Sequence, residues 1–364
     1  MSKFFKALKV IAVVLSSAVG LFLAWAYSNA YFPETPTQSE NVVCSAQAPL
    51  LNAGQPLKVL SWNVQFMAGK EYTFWFEYGE DLRPSPQNIT MTFNEVARII
   101  KNENPDMVLL QEMDNGAART DNEDQLARLL GMLSDEYSCS ARAYYWKADY
   151  LLHPKINGSV GMELTTFSKY KIESATRHAL YEIPGFFLVQ WFDVKRAILE
   201  TIMPIDGGGE LHILNTHLSA FAQGTDTMEQ QVRQTVELLD GLSEAGTPWL
   251  IGGDFNLLPP SIKKGDLAYG DAKALYNNTS EISKIFDKFK SAATLEQLSG
   301  EGSDLHYTHY SNNPSATGLD RVIDYIFYSD NLDFQHYYTR QYDTQAISDH
   351  MPLIMNFNLG KSVE

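Results

Sequence analysis

The sequence predicts an α/β sandwich, and three observations carry that expectation. Short apolar runs rich in β-formers alternate with stretches of helical apolar spacing. Some runs face each other across tight turns, as on either side of Asp206-Gly207-Gly208-Gly209, a pairing that a purely parallel doubly wound sheet does not provide. No linker-like stretch divides residues 57–360, so they are read as one domain.

The elements follow in order. Leu57–Val64 is short, apolar and rich in β-formers, hence a strand. Thr92–Asn102 places Phe93, Val96, Ile99 and Ile100 on one helical face, and Asn104-Pro105 stops it. Met107–Gln111 reads as a buried strand and Asp124–Leu133 as a second amphipathic helix. Met162–Phe167, Val194–Ile202 and Leu211–Thr216 are strand-like, and Thr227–Leu242 is a long helix. Trp249–Gly252, Val322–Tyr328 and Leu353–Phe357 complete the strands. The run 184–192 (PGFFLVQWF) is read as a buried strand, with a lipid-facing or substrate-facing role as the alternative.

Before the domain lies an address. Lys3, Lys6 and Lys9 precede an apolar run from Val10 to Tyr27 that, at about 1.5 Å per residue, nearly crosses a hydrocarbon core of about 30 Å. Positive residues ahead of it predict a cytoplasmic N-terminus and an exported remainder. Residues 1–30 are therefore read as an uncleaved membrane anchor. Ala24-Trp25-Ala26 and Ser28-Asn29-Ala30 keep a cleaved signal peptide, and so a secreted protein, as the alternative. Residues 31–56, rich in Pro, Ser and Asn, are read as a linker.

The 364 residues carry 28 Lys+Arg against 44 Asp+Glu. With three lysines in the anchor and no acid before Glu34, the remainder holds 25 basic and 44 acidic groups. Nonspecific nucleic-acid affinity comes mainly from basic surface, so this balance argues against a general DNA-binding protein. Cys44 and Cys139 are too few for a disulfide scaffold. They form either one disulfide, if the domain is exported, or two unpaired thiols.

Five segments share one design, an apolar strand ending in carboxylate, amide or imidazole side chains. They are Ser61-Trp62-Asn63, Leu110-Gln111-Glu112, Asn215-Thr216-His217, Gly252-Gly253-Asp254-Phe255-Asn256 and Ile347-Ser348-Asp349-His350. Asp324, between Ile323 and Tyr325, adds a carboxylate inside a strand, where burial demands a partner. Singly, each has a bland reading: strand-end Asn63 or Asp254 as a turn former, Glu112 as a helix N-terminal charge, His217 or His350 as a hydrogen-bonded structural histidine. Jointly, strand ends on one sheet edge can converge on one pocket.

In order and context these segments resemble the deoxyribonuclease-I-like endonuclease/exonuclease/phosphatase superfamily, which includes sphingomyelinase-like and inositol-phosphatase-like members. The resemblance rests on LSWNV (60–64), PDMVLLQE (105–112), LNTHLSA (214–220), GGDFN (252–256), VIDYIF (322–327) and SDHMPL (348–353). It implies a four-layer α/β sandwich of two packed mixed sheets flanked by helices, and metal-dependent phosphoester hydrolysis with Mg²⁺ or Mn²⁺. It implies Glu112 as a metal ligand, Asn63 as a ligand through its amide oxygen or as a group orienting Glu112, and Asp349 in support. Asp254 is expected to position and deprotonate the attacking water, and Asn256 to hold that water or a phosphate oxygen. His217 is expected to donate to a non-bridging oxygen. His350 and Asp324 are expected to pair, with His350 assigned as base or acid differently across the family.

The substrate is less legible. The expected function is phosphodiester or phosphomonoester hydrolysis outside the cytoplasm, on a membrane-lipid headgroup or a small phosphate ester. The alternatives are an exported nuclease of the same superfamily and, more remotely, a non-catalytic binding protein on this fold. Tyr72, Phe74, Trp75, Phe76 and Tyr78 make an aromatic loop that either faces lipid or substrate, or packs over the sandwich edge. Arg119, Lys147, His153, Lys155, Arg177 and His178 lie in connections that can border a cleft, with Trp146-Lys147 and His153-Pro154-Lys155 the favoured substrate-contact region. No protein partner is evident in the sequence.

Overall fold

The computed structural model describes residues 2–74, 79–267 and 275–360. Two mixed sheets pack face to face. The first holds β2 (Val42–Cys44), β4 (Pro56–Asn63), β5 (Met107–Asp114), β6 (Cys139–Leu151), β7 (Gly158–Ser168), β14 (Leu332–Thr339) and β15 (Leu353–Leu359), in the order β14-β15-β4-β5-β7-β6-β2. The second holds β1 (Thr37–Glu40), β8 (Ser174–Ala179), β9 (Ala197–Asp206), β10 (Glu210–His217), β11 (Trp249–Asp254), β12 (Lys290–Ser291) and β13 (Asp324–Tyr328), in the order β1-β8-β9-β10-β11-β13-β12. A two-residue strand, β3 (Leu51–Asn52), runs beside β9. Ahead of the sheets lies α1 (Ser2–Asn29), and the main flanking helices are α2 (Pro86–Glu103), α3 (Gln125–Leu130), α4 (Phe187–Phe192) and α5 (Thr227–Glu244).

Strand alternation builds the layers. Leu57 and Val59 of β4 join Met107 and Leu109 of β5 in the core between the sheets, which includes Ile213 and Ile251 of the second sheet. Their neighbours Leu60, Trp62, Val108 and Leu110 point the other way, onto Phe93, Val96, Ile99 and Ile100 of α2. Ser85 caps α2 by accepting from Asn88 N, Pro86 opens it, and Asn104 closes it in the left-handed region. On the second sheet Val232, Val236 and Leu239 of α5 join the same core as β10 and β11. The expected α/β sandwich of two packed mixed sheets with flanking helices is the observed architecture.

The pairing directions place the site. β4 runs parallel to β5, and β10 parallel to β11. β15 runs antiparallel to β4, and β13 antiparallel to β11. The ends of four strands and the beginnings of two therefore meet at one edge of the sandwich.

Two expectations need correction. The segment 31–56, expected to be a linker, contributes β1, β2 and β3 to the sheets, and Cys44 pairs with Cys139 in register and forms a disulfide with it. These strands are only two to four residues long, β1 is polar, and β1 and β2 are half-exposed, so backbone pairing, not hydrophobic alternation, makes them strands. The run 184–192 is not a buried strand: residues 187–192 form α4, which buries none of its side chains. Of the aromatic loop, Tyr72 and Phe74 both pack edge-on against Phe66 and tilted against each other. Trp75, Phe76 and Tyr78 lie outside the described residues. Among the described residues, α1 is the one helix long and apolar enough to cross a membrane.

Candidate active site

Backbone geometry aims the side chains. A register shift in β5 between Leu110 and Met113, with Glu112 at φ 59°, turns the Glu112 carboxylate out of the ladder toward the edge. Gly253 is required where it stands: its φ is +152°, and a Cβ there would lie 1.9 Å from the Thr216 carbonyl oxygen. Only glycine lets β11 lie this close to β10, and that pairing sets His217 beside Asp254. Asp254 is in turn the register partner of Asp324 on β13. The segment before β15 is pinned by Ser348 Oγ, which donates to the Asn63 carbonyl at 2.8 Å, and by Trp62 Nε1, which donates to the His350 carbonyl at 2.8 Å.

Six of the eight expected residues form one connected cluster. Asn63 Nδ2 donates to Glu112 Oε1 at 3.2 Å and to Asp254 Oδ2 at 3.1 Å, while its oxygen accepts from Gln65 N at 3.1 Å. Asn63 is thus placed to orient the two carboxylates, and its oxygen is occupied by its own turn. His217 Nε2 lies 3.3 Å from Asp254 Oδ2 and His350 Nε2 lies 3.6 Å from the same oxygen. His350 Nδ1 contacts both oxygens of Asp324, at 2.8 and 3.0 Å.

The remaining two stand at the margin. Asn256, at φ 51°, donates its backbone N–H to Asp254 Oδ1 at 2.9 Å and its side-chain amide to the Leu218 carbonyl at 3.1 Å. Asp349 accepts from Asn312 Nδ2 at 3.1 Å.

Charge follows from this packing. Burial alone would lower the His350 pKa, but Asp324, Asp254 and Asp349 outweigh it and hold the imidazole well above its usual value. Burial, with help from Arg196 and His350, drives His217 well below its usual value, so it is neutral. Its partners then fix its tautomer: Nδ1 faces the Tyr145 hydroxyl at 3.4 Å and Nε2–H faces Asp254. Burial raises Asp254 and Asp324 adds to the rise, against the pull of His350. Burial and then the charge of Asp349 raise Glu112.

Among the described residues, two acid–imidazole groups bring three ligand-type atoms within 4.8 Å of one another: Asp254, Asp324 and His350, and His309, Asp349 and His350. The first is already a hydrogen-bonded array, because His350 Nδ1 is spent on Asp324. Glu112 belongs to neither, yet its side chain is 21% exposed where that of Asp254 is 2% exposed. Its negative neighbour Asp349 and its hard oxygen donors suit a hydrated divalent cation, which takes one or two carboxylates and keeps its waters. The donor set fits such an ion.

The profile of the Endonuclease/Exonuclease/phosphatase family matches residues 60–350. The chain belongs to this family. Members of the family are hydrolases of phosphoester bonds. Among solved structures, an endonuclease/exonuclease/phosphatase from Beutenbergia cavernae superimposes with a TM-score of 0.57 at 18% identity, covering 84% of this chain and 72% of that one. A family member from Bacteroides vulgatus gives 0.51 at 15% identity over 84% and 99%. The catalytic domain of human Nocturnin, solved with a bound sulfate anion, gives 0.50 at 17% identity over 88% and 97%. At these identities the likeness is one of fold. No curated protein matches the chain significantly.

The cluster also gathers residues that the motifs do not single out. Tyr145 of β6 touches His217. The Arg196 guanidinium lies 5.1 Å from the Tyr145 ring, and its Nη1 is buried with no partner among the described residues. His309 packs edge-on against His350 at 5.0 Å. None ends a strand in a polar triplet; Lys195-Arg196 beside an apolar run is the one available signal.

Other expected cleft residues are engaged elsewhere. Arg177 is buried and donates to the Tyr144 and Lys195 carbonyls, His178 pairs with Glu200, and Arg119 forms a two-pronged bond with Asp114. Trp146 Nε1 donates to the Phe192 carbonyl and Lys147 lies over the Tyr144 ring.

Proposed function

We propose that this hydrolase is a divalent-metal-dependent phosphoesterase, anchored by α1 with its domain exported, that cleaves a membrane-lipid headgroup or a small phosphate ester. One observation carries the chemistry: a His350–Asp324 pair and a His217–Asp254 contact meet on the same Asp254 oxygen, beside the partly exposed carboxylate of Glu112.

Glu112 and Asp349 would hold Mg²⁺ or Mn²⁺, oriented by Asn63. When bound, the ion neutralises phosphate charge and polarises the ester. Asp254, with a raised proton affinity, positions and deprotonates the attacking water, and Asn63 and the Asn256 N–H hold its carboxylate in place. The neutral His217 donates Nε2–H to a non-bridging oxygen, and Arg196 meets the phosphate charge through its unpaired nitrogen. Asp324 keeps the His350 proton on Nδ1 and stabilises the imidazolium, so Nε2 can deliver a proton to the leaving oxygen.

Location and substrate class rest on three features. The apolar helix follows three lysines, a disulfide suits an oxidising compartment, and a net charge of −16 disfavours polyanion binding. The test uses full-length protein in mixed phospholipid micelles, with Glu112→Gln and His350→Ala as controls. Metal-dependent release of phosphate or phosphorylated headgroup, abolished by EDTA and by both substitutions, is expected. Plasmid nicking with inert lipid would make the protein an exported nuclease instead. Full biological function in both variants would make it a binding protein.

A further inference from the structure

The end of α1 is clamped to the domain. Ala26 is fully buried and Ala30 forms a β-bridge with Ala148 of β6. From there aromatic rings run onto the domain surface. Tyr27 stacks on Phe32 at 4.8 Å, Trp191 meets both edge-on at 5.6 and 5.9 Å, and Phe187 meets Trp191 at 5.3 Å. On β6, Tyr150 contacts Trp25 at 6.1 Å. Next to these rings the domain holds large apolar side chains in solvent: Leu152 is 64% exposed, Phe186 62% and Val189 60%.

Helix geometry gives the height of this surface. Lys9 is the last charge in α1, and the 20 residues that follow, up to Asn29, cover about 30 Å, the thickness of the hydrocarbon core. Trp25 and Tyr27 then fall at the outer interface, where amphipathic rings concentrate in membrane proteins. Because that end of the helix is fixed to β6, whatever flanks it on the domain is held at the same level. Exposed apolar side chains there gain free energy on removal from water.

We propose that the domain seats on the lipid bilayer through Leu152, Phe186, Phe187 and Val189, beside the emerging α1. This rests on the reading of α1 as a membrane anchor. It gives the domain one orientation, with the β6 wall of the cleft turned to the headgroups. Tyr145, which touches His217, is three residues from the clamped Ala148, about 10 Å along a strand. The contact thereby brings a phosphoester in a lipid headgroup near the site, without a freely swinging tether.

The test is spin labelling of the full-length chain in phosphatidylcholine–phosphatidylglycerol vesicles. Single cysteines replace Leu152, Val189, Val14 in α1, and Gln335 on β14, the edge strand opposite β2 and β6; the native cysteines are tied in their disulfide. Nitroxides at Leu152 and Val189 are expected to be severalfold more accessible to dissolved oxygen, relative to an aqueous nickel chelate, than the label at Gln335. If they match Gln335 while Val14 reports hydrocarbon, the docking surface is wrong and the anchor stands. If Val14 is also aqueous, the anchor reading fails and the docking falls with it.

Discussion

Replacing Asp324 with asparagine isolates the acid–base pair from the rest of the site. The carboxylate is 3% exposed, and its two oxygens lie 2.8 and 3.0 Å from His350 Nδ1. Asparagine has nearly the same shape but no charge and a single acceptor oxygen. With that oxygen toward Nδ1, the tautomer is kept and the imidazolium loses the carboxylate that does most to raise its pKa. With the amide nitrogen toward Nδ1, the proton moves to the wrong ring nitrogen. Either way the imidazolium that gives up the Nε2 proton is less populated. General acid–base catalysis contributes about 10²–10⁴-fold, or roughly 3–5 kcal/mol of barrier at about 1.4 kcal/mol per decade. The fold has little reason to change, because the backbone N–H of Asp324 still donates to Thr308 Oγ1 at 3.2 Å and β13 still pairs with β11. Hydrolysis of an alkyl phosphodiester, whose leaving alkoxide needs that proton, is expected to lose kcat by that factor with KM and melting temperature nearly unchanged. A kcat comparable to the parent in a variant that melts normally would refute the assignment of His350 as the proton-transfer group.

Three further outcomes are expected. Gly253→Ala puts a Cβ 1.9 Å from the Thr216 oxygen, a backbone clash of the kind that costs about 4 kcal/mol or more; an unchanged thermal melt would contradict the strand packing. Removing the Cys44–Cys139 disulfide, which closes a separation of 95 residues, should cost about 2–4 kcal/mol in denaturant titrations with and without reductant. It should leave activity below the transition intact, since β2 lies at the far edge of its sheet.

The third outcome concerns the Glu200 cluster on β8–β10. Glu200 lies 2.7 Å from His178 and 2.6 Å from His212, and despite burial these histidines pull its pKa down to about 2. His212 is raised: burial opposes the rise, and Glu200 and Glu210 outweigh it. The carboxylate contribution, on the order of 3 kcal/mol, is present above its unfolded value near 4.5 and fades as pH falls through about 2. The His212 contribution is complete below its unfolded value near 6.5 and fades as pH rises through the raised folded value. Glu200→Gln should therefore destabilise most near mid-acid pH; a loss that is the same at every pH would show that these charges are not coupled to folding.

Much of this architecture is written locally, and what is missing is missing for physical reasons. β4, β5, β10 and β11 announce themselves because each must be apolar on two faces and then turn polar where it reaches the edge. Gly253 is legible inside GGDFN, although only the 1.9 Å approach explains it. β1 and β2 are not legible, because an edge strand held by backbone pairing and a disulfide has no need of alternating hydrophobicity. The run at 184–192 misleads for the opposite reason: its hydrophobicity is used outside the core, and period alone cannot separate a short buried strand from a surface helix. Tyr145 and Arg196 come from strand interiors and flanks, where type and spacing carry no catalytic signature. Their role is set by what the second sheet brings opposite them.

The site divides its work by strand direction, and that division bears on substrate choice. The carboxylates Glu112 and Asp254 and the imidazole of His217 arrive on outgoing strands, while Asp324 and the segment carrying His350 stand at the start of returning ones. These groups are linked by hydrogen bonds and, on the proposed reading, would recognise a phosphoester and little else. Discrimination among phosphoesters must come from what borders it. On one side that border is β6, the strand that supplies Tyr145, carries α4 through Trp146 and is clamped to α1 at Ala148. On the proposed reading, a substitution on β6 would move the cleft wall and the α1 contact together, whereas one on β13 would change the chemistry and leave that contact alone. Comparing soluble and vesicle-borne substrates in variants of these two strands separates substrate selection from catalysis, whichever ester the protein cleaves in the cell.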